Sequence, residues 1–250
     1  MAAYTTIDNP ELYFQTVLYT GNGSTQTISY PNADADLTAD MIWIKQRSQE
    51  TSHTIFDSVR GVQEAIFTNN VNAETTRTDA VSAFGTDGFD LGANGDLNAN
   101  TETHVAWCWK AGTAFSNDAS ATSVGSIDSS GSKNTTSGFS IVSYTGNGSA
   151  NQSVAHGLAA TPKFIIIKNR DTAGYWPVTN PRFVSVSDPN ILYLQVTAAE
   201  ADDTNINGTT APSSTVFGVD DYGAVNTSGD DHIAYCFTPK QGFSKFGSYT

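Results

Sequence analysis

The chain repeats itself, and this repeat limits the folds available to it more than any other feature of the sequence. Residues 19–24 read Tyr-Thr-Gly-Asn-Gly-Ser, and residues 144–149 read the same sequence. Two further pairs of segments match in the same order: residues 41–47 with 164–170, and residues 104–109 with 232–237. Arg60 is expected to be matched by Arg182. Because the matched blocks keep nearly the same spacing, we predict two copies of one fold with loops of variable length.

This repeat predicts the domain organisation. We expect four segments: a leader over residues 1–13, a first repeat over 14–112, a linker over 113–138 and a second repeat over 139–250. The segment between the copies is rich in Ser, Thr, Ala, Gly and Asn, which is the composition of a flexible linker. Residues 242–250 resemble residues 138–145 with one residue added, so we expect the sequence to stop where a third copy would begin.

The apolar segments are short and bounded by Gly, Asn, Asp and Ser, which favours strands over helices. Four of them are apolar at consecutive positions, as in central strands covered on both faces: residues 42–44, 105–109, 164–167 and 233–237. The Gly-Asn-Gly of residues 21–23 is expected to close a hairpin that opens each copy. These patterns predict an all-β fold of two tandem β-sandwich modules, jelly-roll-like, joined by the Ser/Thr/Gly-rich linker.

The two cysteines lie in the same local setting, each between aromatic residues. Their spacing fits neither a zinc site nor a disulfide framework, and equivalent positions of separate modules lie too far apart for a bridge. We therefore interpret both as buried structural thiols. Five residues are assigned to the interior, with Trp107 and Tyr235 expected to be largely buried: Trp43, Trp107, Cys108, Tyr235 and Cys236.

The chain is strongly acidic, with 12 Lys and Arg against 25 Asp and Glu and a net charge of −13. A phosphate backbone would be repelled by this charge, so general nucleic-acid binding is excluded. No stretch approaches the length of a membrane span, and the first residues lack the basic and apolar regions of an export signal. We therefore expect a protein that is synthesised in a cytosol and does not insert into a membrane.

The repeated motifs resemble an uncharacterised tandem-repeat domain of marine bacteriophage virion proteins, including those of cyanophages. The motifs are the Tyr-Thr-Gly-Asn-Gly-Ser segment, the Ile-Ile-Lys-x-Arg strand ending at Arg170, the strand of residues 232–237 and the closing segment of residues 242–250. Residues 4–15 are similar to the N-terminal leader of those proteins. The resemblance implies a virion structural protein, either a tail fibre or a tail-associated surface appendage that contributes to host attachment. It implies assembly in the host cytoplasm and a place on the virion surface, and it supplies no catalytic or ligand-binding residues.

Few residues point to chemistry. His104 and His232 hold equivalent positions without a nucleophile motif nearby, which favours a structural role. Residues 94–100 place oxygen-bearing side chains at alternate positions as a calcium loop does, but Ala99 and Val105 replace the glycine and glutamate such a loop needs. We expect no metal, no cofactor and no enzymatic activity. A hydrolase with an unrecognised pair of carboxylates is the remaining enzymatic alternative.

Tyr175 and Trp176 form the candidate platform for stacking against a sugar ring, because aromatic faces with a polar rim suit carbohydrates. The competing interpretation is an aromatic pair that covers the sandwich, since tryptophan is usually buried. Two alternatives to a tail fibre follow: a head decoration protein, or a carbohydrate-binding module that recognises bacterial surface glycans.

The expected partners are other virion proteins and further copies of this chain, with a trimer favoured, and a host surface glycan as a further candidate. A sandwich exposes edge strands that invite pairing, so neighbouring copies can cover one another's edges. Residues 243–249 are expected to supply the shared strand. They should either complete the second module's sheet or pack against a neighbour.

Overall fold

The computed structural model describes residues 4–32, 36–180, 183 and 185–248 of the chain. The fold is all-β, with several antiparallel sheets and only short helical turns among the described residues, as predicted. The described part holds no helix long and apolar enough to cross a membrane. Two compact units are present. We name them the N-terminal unit, residues 9–69 and 74–112, and the C-terminal unit, residues 4–8, 70–73 and 113–248.

The N-terminal unit begins with a 3-10 turn, Pro10–Leu12, and contains nine strands and one helical turn. These are β1 Phe14–Thr20, β2 Gln26–Ser29, β3 Met41–Gln46, β4 His53–Asp57, β5 Gly61–Phe67, β6 Thr75–Thr76, β7 Val81–Gly85, β8 Gly88–Leu91, α1 Gly95–Asn98 and β9 Thr103–Trp109. A six-stranded sheet has the order β1-β9-β3-β4-β5-β6, and a three-stranded sheet has the order β2-β8-β7. The buried core takes Val17 and Ile42 from the first sheet and Ile28 and Phe89 from the second.

The C-terminal unit also combines a large and a small sheet, and its large sheet has two further strands, β10 and β11, beyond β12. Its elements are β10 Thr113–Asn117, α2 Ala119–Thr122, β11 Ser129–Asn134, β12 Phe139–Thr145, β13 Gln152–Ala155, β14 Phe164–Asn169, β15 Pro177–Thr179, β16 Ile191–Tyr193, α3 Thr204–Asn207, β17 Val216–Val219, α4 Gly223–Asn226 and β18 Asp231–Phe237. A seven-stranded sheet has the order β10-β11-β12-β18-β14-β15-β16, and β13 pairs with β17. Val142 and Ile165 of the large sheet share a core with Val154 and Phe217 of the small one.

The two units repeat the same strand pairing over their three central strands. In the N-terminal unit, Trp107 of β9 lies opposite Thr16 of β1 and Trp43 of β3. In the C-terminal unit, Tyr235 of β18 lies opposite Ile141 and Ile166. The registers match residue for residue along these strands, so the four segments predicted as central strands are confirmed as strands of the large sheets.

The hairpin predicted at the start of each copy is wrong. Strand β1 pairs with β9, whereas β2 pairs with β8 in the other sheet. The equivalent strands β12 and β13 also belong to different sheets. The Gly-Asn-Gly segments therefore lead from one sheet to the other rather than closing a turn between neighbours. The positive φ that the sequence predicts is present, since Gly23 and Gly148 both have φ near 68°.

The flexible linker predicted over residues 113–138 is wrong as well, because this segment forms β10, α2 and β11 of the C-terminal unit. Strand β11 pairs with β12 in a regular antiparallel register. Its small residues are needed there: a Cβ atom at Gly131 would meet the Ile141 carbonyl oxygen at 1.9 Å. The composition that indicates a linker is therefore that of a strand lying close against its neighbour. Residues 4–8 of the predicted leader also cluster with this unit.

The residues assigned to the interior differ in exposure. Cys108 and Cys236 are 0% exposed and free, and Tyr235 is 1% exposed. Burial raises the pKa of the Cys108 thiol to about 12 and that of the Cys236 thiol further. Trp43 and Trp107 are half-buried, so Trp107 is more exposed than Tyr235 at the equivalent position.

The closing segment does not extend the sheet over the described residues through Ser248. A single bridge joins Lys240 and Ser244, and the Phe246 ring stacks on Phe164 at 5.8 Å. Two residues named in the sequence predictions, Arg182 and Tyr249, lie outside the described part.

Candidate functional site

The repeated Tyr-Thr-Gly-Asn-Gly-Ser motif is the strongest sequence signal, and a buried asparagine explains it. In the N-terminal unit, Asn98 at the end of α1 is 0% exposed. Its Oδ1 accepts from the Asn22 backbone N–H at 3.0 Å, and its Nδ2 donates to the carbonyl oxygens of Ser24 at 2.5 Å and Gly92 at 2.7 Å. One side chain thus satisfies backbone groups of the loop between the sheets.

Asn226 at the end of α4 does the same in the C-terminal unit. Its Oδ1 accepts from the Asn147 backbone N–H at 2.9 Å, and its Nδ2 donates to the Ser149 carbonyl at 2.8 Å. The loop approaches so closely that a Cβ at Gly146 would lie 2.2 Å from the Thr227 carbonyl oxygen. The motif is therefore required by the fold and does not mark a ligand site.

Neither asparagine is predicted as a functional or structural residue from the sequence, although a signal for both exists. Asn98 and Asn226 precede the repeated histidines, His104 and His232, by the same number of residues. That shared spacing identifies them as one more matched position of the repeat.

Replacing Asn226 by alanine is expected to lower the free energy of unfolding by about 1–3 kcal/mol. The reason is that the backbone N–H of Asn147 and the carbonyl oxygen of Ser149 lose their buried hydrogen-bond partner. Urea denaturation followed by circular dichroism measures the change. Asn205→Ala, at an exposed position of α3, is the matched control and is expected to change stability by less than about 0.5 kcal/mol. We call Asn98 and Asn226, with their hydrogen bonds to the Gly-Asn-Gly-Ser loops, the asparagine clamps. Equal effects of the Asn226 and Asn205 substitutions would contradict this role of the clamp.

The repeated histidines are packing groups. His104 and His232 are 0% exposed, and each stacks on a tyrosine: His104 on Tyr19 at 4.9 Å and His232 on Tyr144 at 5.2 Å. Burial lowers the pKa of both imidazoles and so favours their neutral form. Their enclosure keeps substrate away from both rings.

The calcium-like segment at residues 94–100 uses its side chains for the fold. Asn94 caps α1 by accepting from the Asp96 N–H at 3.1 Å, and Asn98 is the clamp described above. Among the residues that the structure describes, no group of three His, Cys, Asp or Glu is placed to hold a metal ion.

The predicted stacking pair is split by the structure. Tyr175 is 45% exposed, but Trp176 is 0% exposed and its Nε1–H donates to the Asn70 carbonyl at 3.0 Å. Trp176 is therefore a core residue and cannot stack on a ligand. Trp176 lies immediately before β15 with its ring buried, whereas the neighbouring Tyr175 faces solvent.

Tyr175 belongs instead to an aromatic cluster, which we define as Tyr175, Tyr193, Tyr222 and Asp203. The rings of Tyr175 and Tyr193 lie 5.2 Å apart, and the Tyr193 hydroxyl donates to Asp203 Oδ2 at 2.6 Å. Burial, followed by the charge of Asp203, raises the pKa of Tyr222. Burial, followed by the hydrogen bond to Asp203, also raises the pKa of Tyr193. The phenols of Tyr193 and Tyr222 therefore stay protonated at neutral pH and act as hydrogen-bond groups as well as apolar faces.

A depression of about 440 Å³ adjoins the aromatic cluster in the C-terminal unit. Its walls combine two tyrosine rings with small residues and two hydroxyls: Val71, Thr172, Ala173, Gly174, Tyr175, Tyr222, Gly223, Ala224 and Thr227. Such a mixture of aromatic surface and a few polar groups is typical of small-ligand sites.

Lys168 hydrogen-bonds to two residues that line this depression. Its side chain is buried, and its Nζ donates to the carbonyl oxygens of Val71 at 3.2 Å and Gly174 at 3.1 Å. The ammonium also lies 5.8 Å from the centre of the Trp176 ring. Burial lowers the pKa of Lys168 to about 8. Lys168 thus links the two segments of the wall that contain Val71 and Gly174.

Tyr222 stands at a position where the fold favours a different residue. It is the N-cap of α4 and makes no side-chain capping hydrogen bond. The equivalent N-cap of α1 is Asn94, which does make one. Replacing a good N-cap residue by a non-capping one costs about 1 kcal/mol. A ring that weakens its own helix while lining a depression is a candidate for ligand contact.

The chain belongs to a family described as a domain of unknown function, DUF7483, whose model matches residues 9–250. The match runs through both units. No curated protein and no solved structure matches the chain.

Proposed function

We propose that this protein is a bacteriophage virion structural protein, a tail fibre or tail-associated surface appendage that contributes to host attachment. It acts by shape, assembly and surface contact rather than by catalysis. The observation that carries the proposal is the internal repeat, whose two copies share one strand register and resemble repeats of phage virion proteins. Its partners are other virion proteins and further copies of itself.

The modular architecture supports this proposal. We propose that each unit is a jelly-roll-like β-sandwich, and that the two units are tandem copies of one module. Both cores draw side chains from a large and a small sheet, as sandwich cores do. Repeated modules with tight loops suit an extended surface appendage.

The experiment that tests the virion assignment is antibody labelling of the phage that encodes this chain. Gold-labelled antibodies against the purified chain are expected to decorate the tail or its fibres in electron micrographs. Labelling over the head would favour the alternative of a decoration protein. Particles free of label under conditions that label a known coat protein would overturn the virion assignment.

A second candidate function, glycan recognition, is favoured by the aromatic cluster. Tyr175 is exposed enough to stack on a sugar ring, and the hydroxyls of Thr172 and Thr227 lie on the same depression. The net charge of −13 disfavours acidic polysaccharides. We therefore propose a neutral bacterial surface glycan as the ligand.

Binding to an array of bacterial surface glycans tests this site. Tyr175→Ala and Tyr222→Asn are each expected to weaken binding by about tenfold, since a stacked ring contributes up to about 1.5 kcal/mol. Tyr222→Asn should also raise stability by about 1 kcal/mol, because asparagine restores the N-cap.

The control is Tyr4→Ala, which removes a tyrosine that is 73% exposed and outside the cluster. It is expected to leave glycan binding unchanged. The glycan site would be contradicted if both cluster variants still bound glycan, or if the protein bound no member of the array. Neither outcome would bear on the virion assignment.

A further inference from the structure

Strand β1 forms one edge of the six-stranded sheet, and it is the longest edge strand in the described part of the chain. It has seven residues, whereas the other edges of the two large sheets have two in β6, five in β10 and three in β16. Proteins protect sheet edges with short strands, charged residues or prolines. The sequence of β1, Phe-Gln-Thr-Val-Leu-Tyr-Thr, contains no charged residue and no proline.

The hydrogen bonds at its two ends show which backbone groups face the open edge. The Lys110 N–H donates to the Tyr13 carbonyl, and the Gly21 N–H donates to the Glu102 carbonyl. Odd-numbered residues therefore face β9, and in an antiparallel ladder the intervening residues direct their N–H and C=O groups away from that partner. The outward-facing residues are Phe14, Thr16, Leu18 and Thr20.

The C-terminal unit shows how the same edge is used when it is covered. There the strand equivalent to β1 is β12, and its residues Phe139, Ile141 and Ser143 pair with β11. These three positions correspond to Phe14, Thr16 and Leu18 in the matched registers. In the C-terminal unit, β11 covers this edge. In the N-terminal unit, no strand among the described residues pairs with the equivalent edge of β1. Leu18 is 63% exposed there.

We propose that the β1 edge binds β1 of a second copy of this chain. The two strands run antiparallel and are related by a two-fold axis that passes midway between the two Val17 residues. In this register Thr16 lies opposite Leu18 of the second copy, and Phe14 lies opposite Thr20. Every outward-facing residue then meets another outward-facing residue, so the backbone donors and acceptors of Thr16 and Leu18 match at the centre of the strand. At its end, the Thr20 carbonyl already accepts from Gln26 Nε2 at 3.3 Å and would accept a second hydrogen bond from Phe14 of the other copy. Each exposed leucine also gains a cross-strand neighbour.

Charge opposes association of two copies over most of the surface but not at the contact strand itself. The chain carries a net charge of −13, so its copies repel one another over most of their surfaces. The contact strand itself is uncharged, which keeps like charges out of the pairing. Association is therefore expected to strengthen with added salt, because salt screens the repulsion between the rest of the two copies.

Sedimentation equilibrium of the full chain tests the pairing. We expect a concentration-dependent dimer, weakened at least about tenfold by Leu18→Lys and by Thr16→Pro. Both substitutions should leave the melting temperature nearly unchanged, because the Leu18 side chain is exposed and the Thr16 N–H faces the open edge. The matched control, Val196→Lys, adds the same charge at another exposed position and should leave the dimer intact.

Cysteine pairing tests the register. A mixture of Thr16→Cys and Leu18→Cys copies is expected to form an intermolecular disulfide, because these positions face each other and lie within bridging distance. Either variant alone should form far less. The native thiols do not compete, since Cys108 and Cys236 are buried. A chain that stays monomeric at all concentrations, a dimer indifferent to both edge substitutions, or equal bridging in the single variants would overturn the proposal.

Discussion

Replacing Tyr235 by alanine is expected to lower the free energy of unfolding by about 3–5 kcal/mol, the largest effect of any single truncation considered for this chain. Tyr235 is 1% exposed at the middle of the central strand β18, opposite Ile141 on one side and Ile166 on the other. Alanine leaves a cavity among neighbours held by two ladders, which cannot collapse to fill it. Urea denaturation monitored by far-ultraviolet circular dichroism measures the loss.

The matched substitution is Trp107→Ala, at the equivalent position of β9. Trp107 is only half-buried, so its truncation removes less surface from contact with the protein and is expected to cost less than that of Tyr235. Equal losses at the two positions, or an unchanged denaturation midpoint for Tyr235→Ala, would refute this assignment of the core.

The comparison of these two positions shows what the sequence determines and what it does not. Consecutive apolar residues predict β9 and β18 as central strands, and the pairing confirms this. The sequence pattern predicts the same burial for Trp107 and Tyr235, because it describes only the order of apolar and polar residues along each strand. Their different exposure depends on what packs over each sheet, which is a property of residues distant in sequence.

The two incorrect predictions of local structure have related causes. Gly-Asn-Gly has the composition of a hairpin turn, but the Asn98 and Asn226 clamps direct the chain to the opposite sheet. The Ser- and Gly-rich segment of β11 has the composition of a linker, but its pairing with β12 overrides that preference. In both cases a contact over long sequence distance decides a structure that local propensity leaves open.

The aromatic cluster could be predicted only in part. The sequence singles out Tyr175 because it adjoins a tryptophan and a proline. Tyr193 comes to it from β16, Asp203 from the N-cap of α3 and Tyr222 from the N-cap of α4, and none of them carries a motif of its own. Comparison of the repeats supplies the missing signal, since Tyr222 stands where the first copy has Asn94. A departure between copies at a capping position is therefore the most informative sequence clue to the site.

Acidification is expected to destabilise the protein as the pH falls from about 6.5 to about 4, and His156 provides the largest defined contribution. His156 is 0% exposed, its Nδ1 accepts from the Leu158 N–H at 3.2 Å, and its Nε2 lies 3.2 Å from the Ser213 carbonyl. Burial lowers the pKa of this imidazole from 6.5 to about 4. The lowered pKa of His104 and of His232 acts in the same direction.

The sign follows from proton binding in the two states. Between pH 6.5 and about 4 the unfolded chain binds a proton at His156 that the folded chain does not, so stability is fully present above this range and is lost as the pH falls through it. At 1.36 kcal/mol for each pKa unit, the loss from His156 amounts to about 3 kcal/mol. Urea denaturation at intervals from pH 7 to pH 4 measures it.

The variant His156→Gln isolates this contribution, because glutamine keeps a donor near the Ser213 carbonyl and has no proton to gain. The free energies of unfolding of the two proteins are expected to converge by about 3 kcal/mol between pH 7 and pH 4. Carboxylate titration and the decline of the net negative charge affect both proteins alike and cancel in the difference. His53→Gln, at a half-buried site, should give a smaller convergence. Parallel pH profiles for wild type and His156→Gln would show that this histidine does not couple protonation to unfolding.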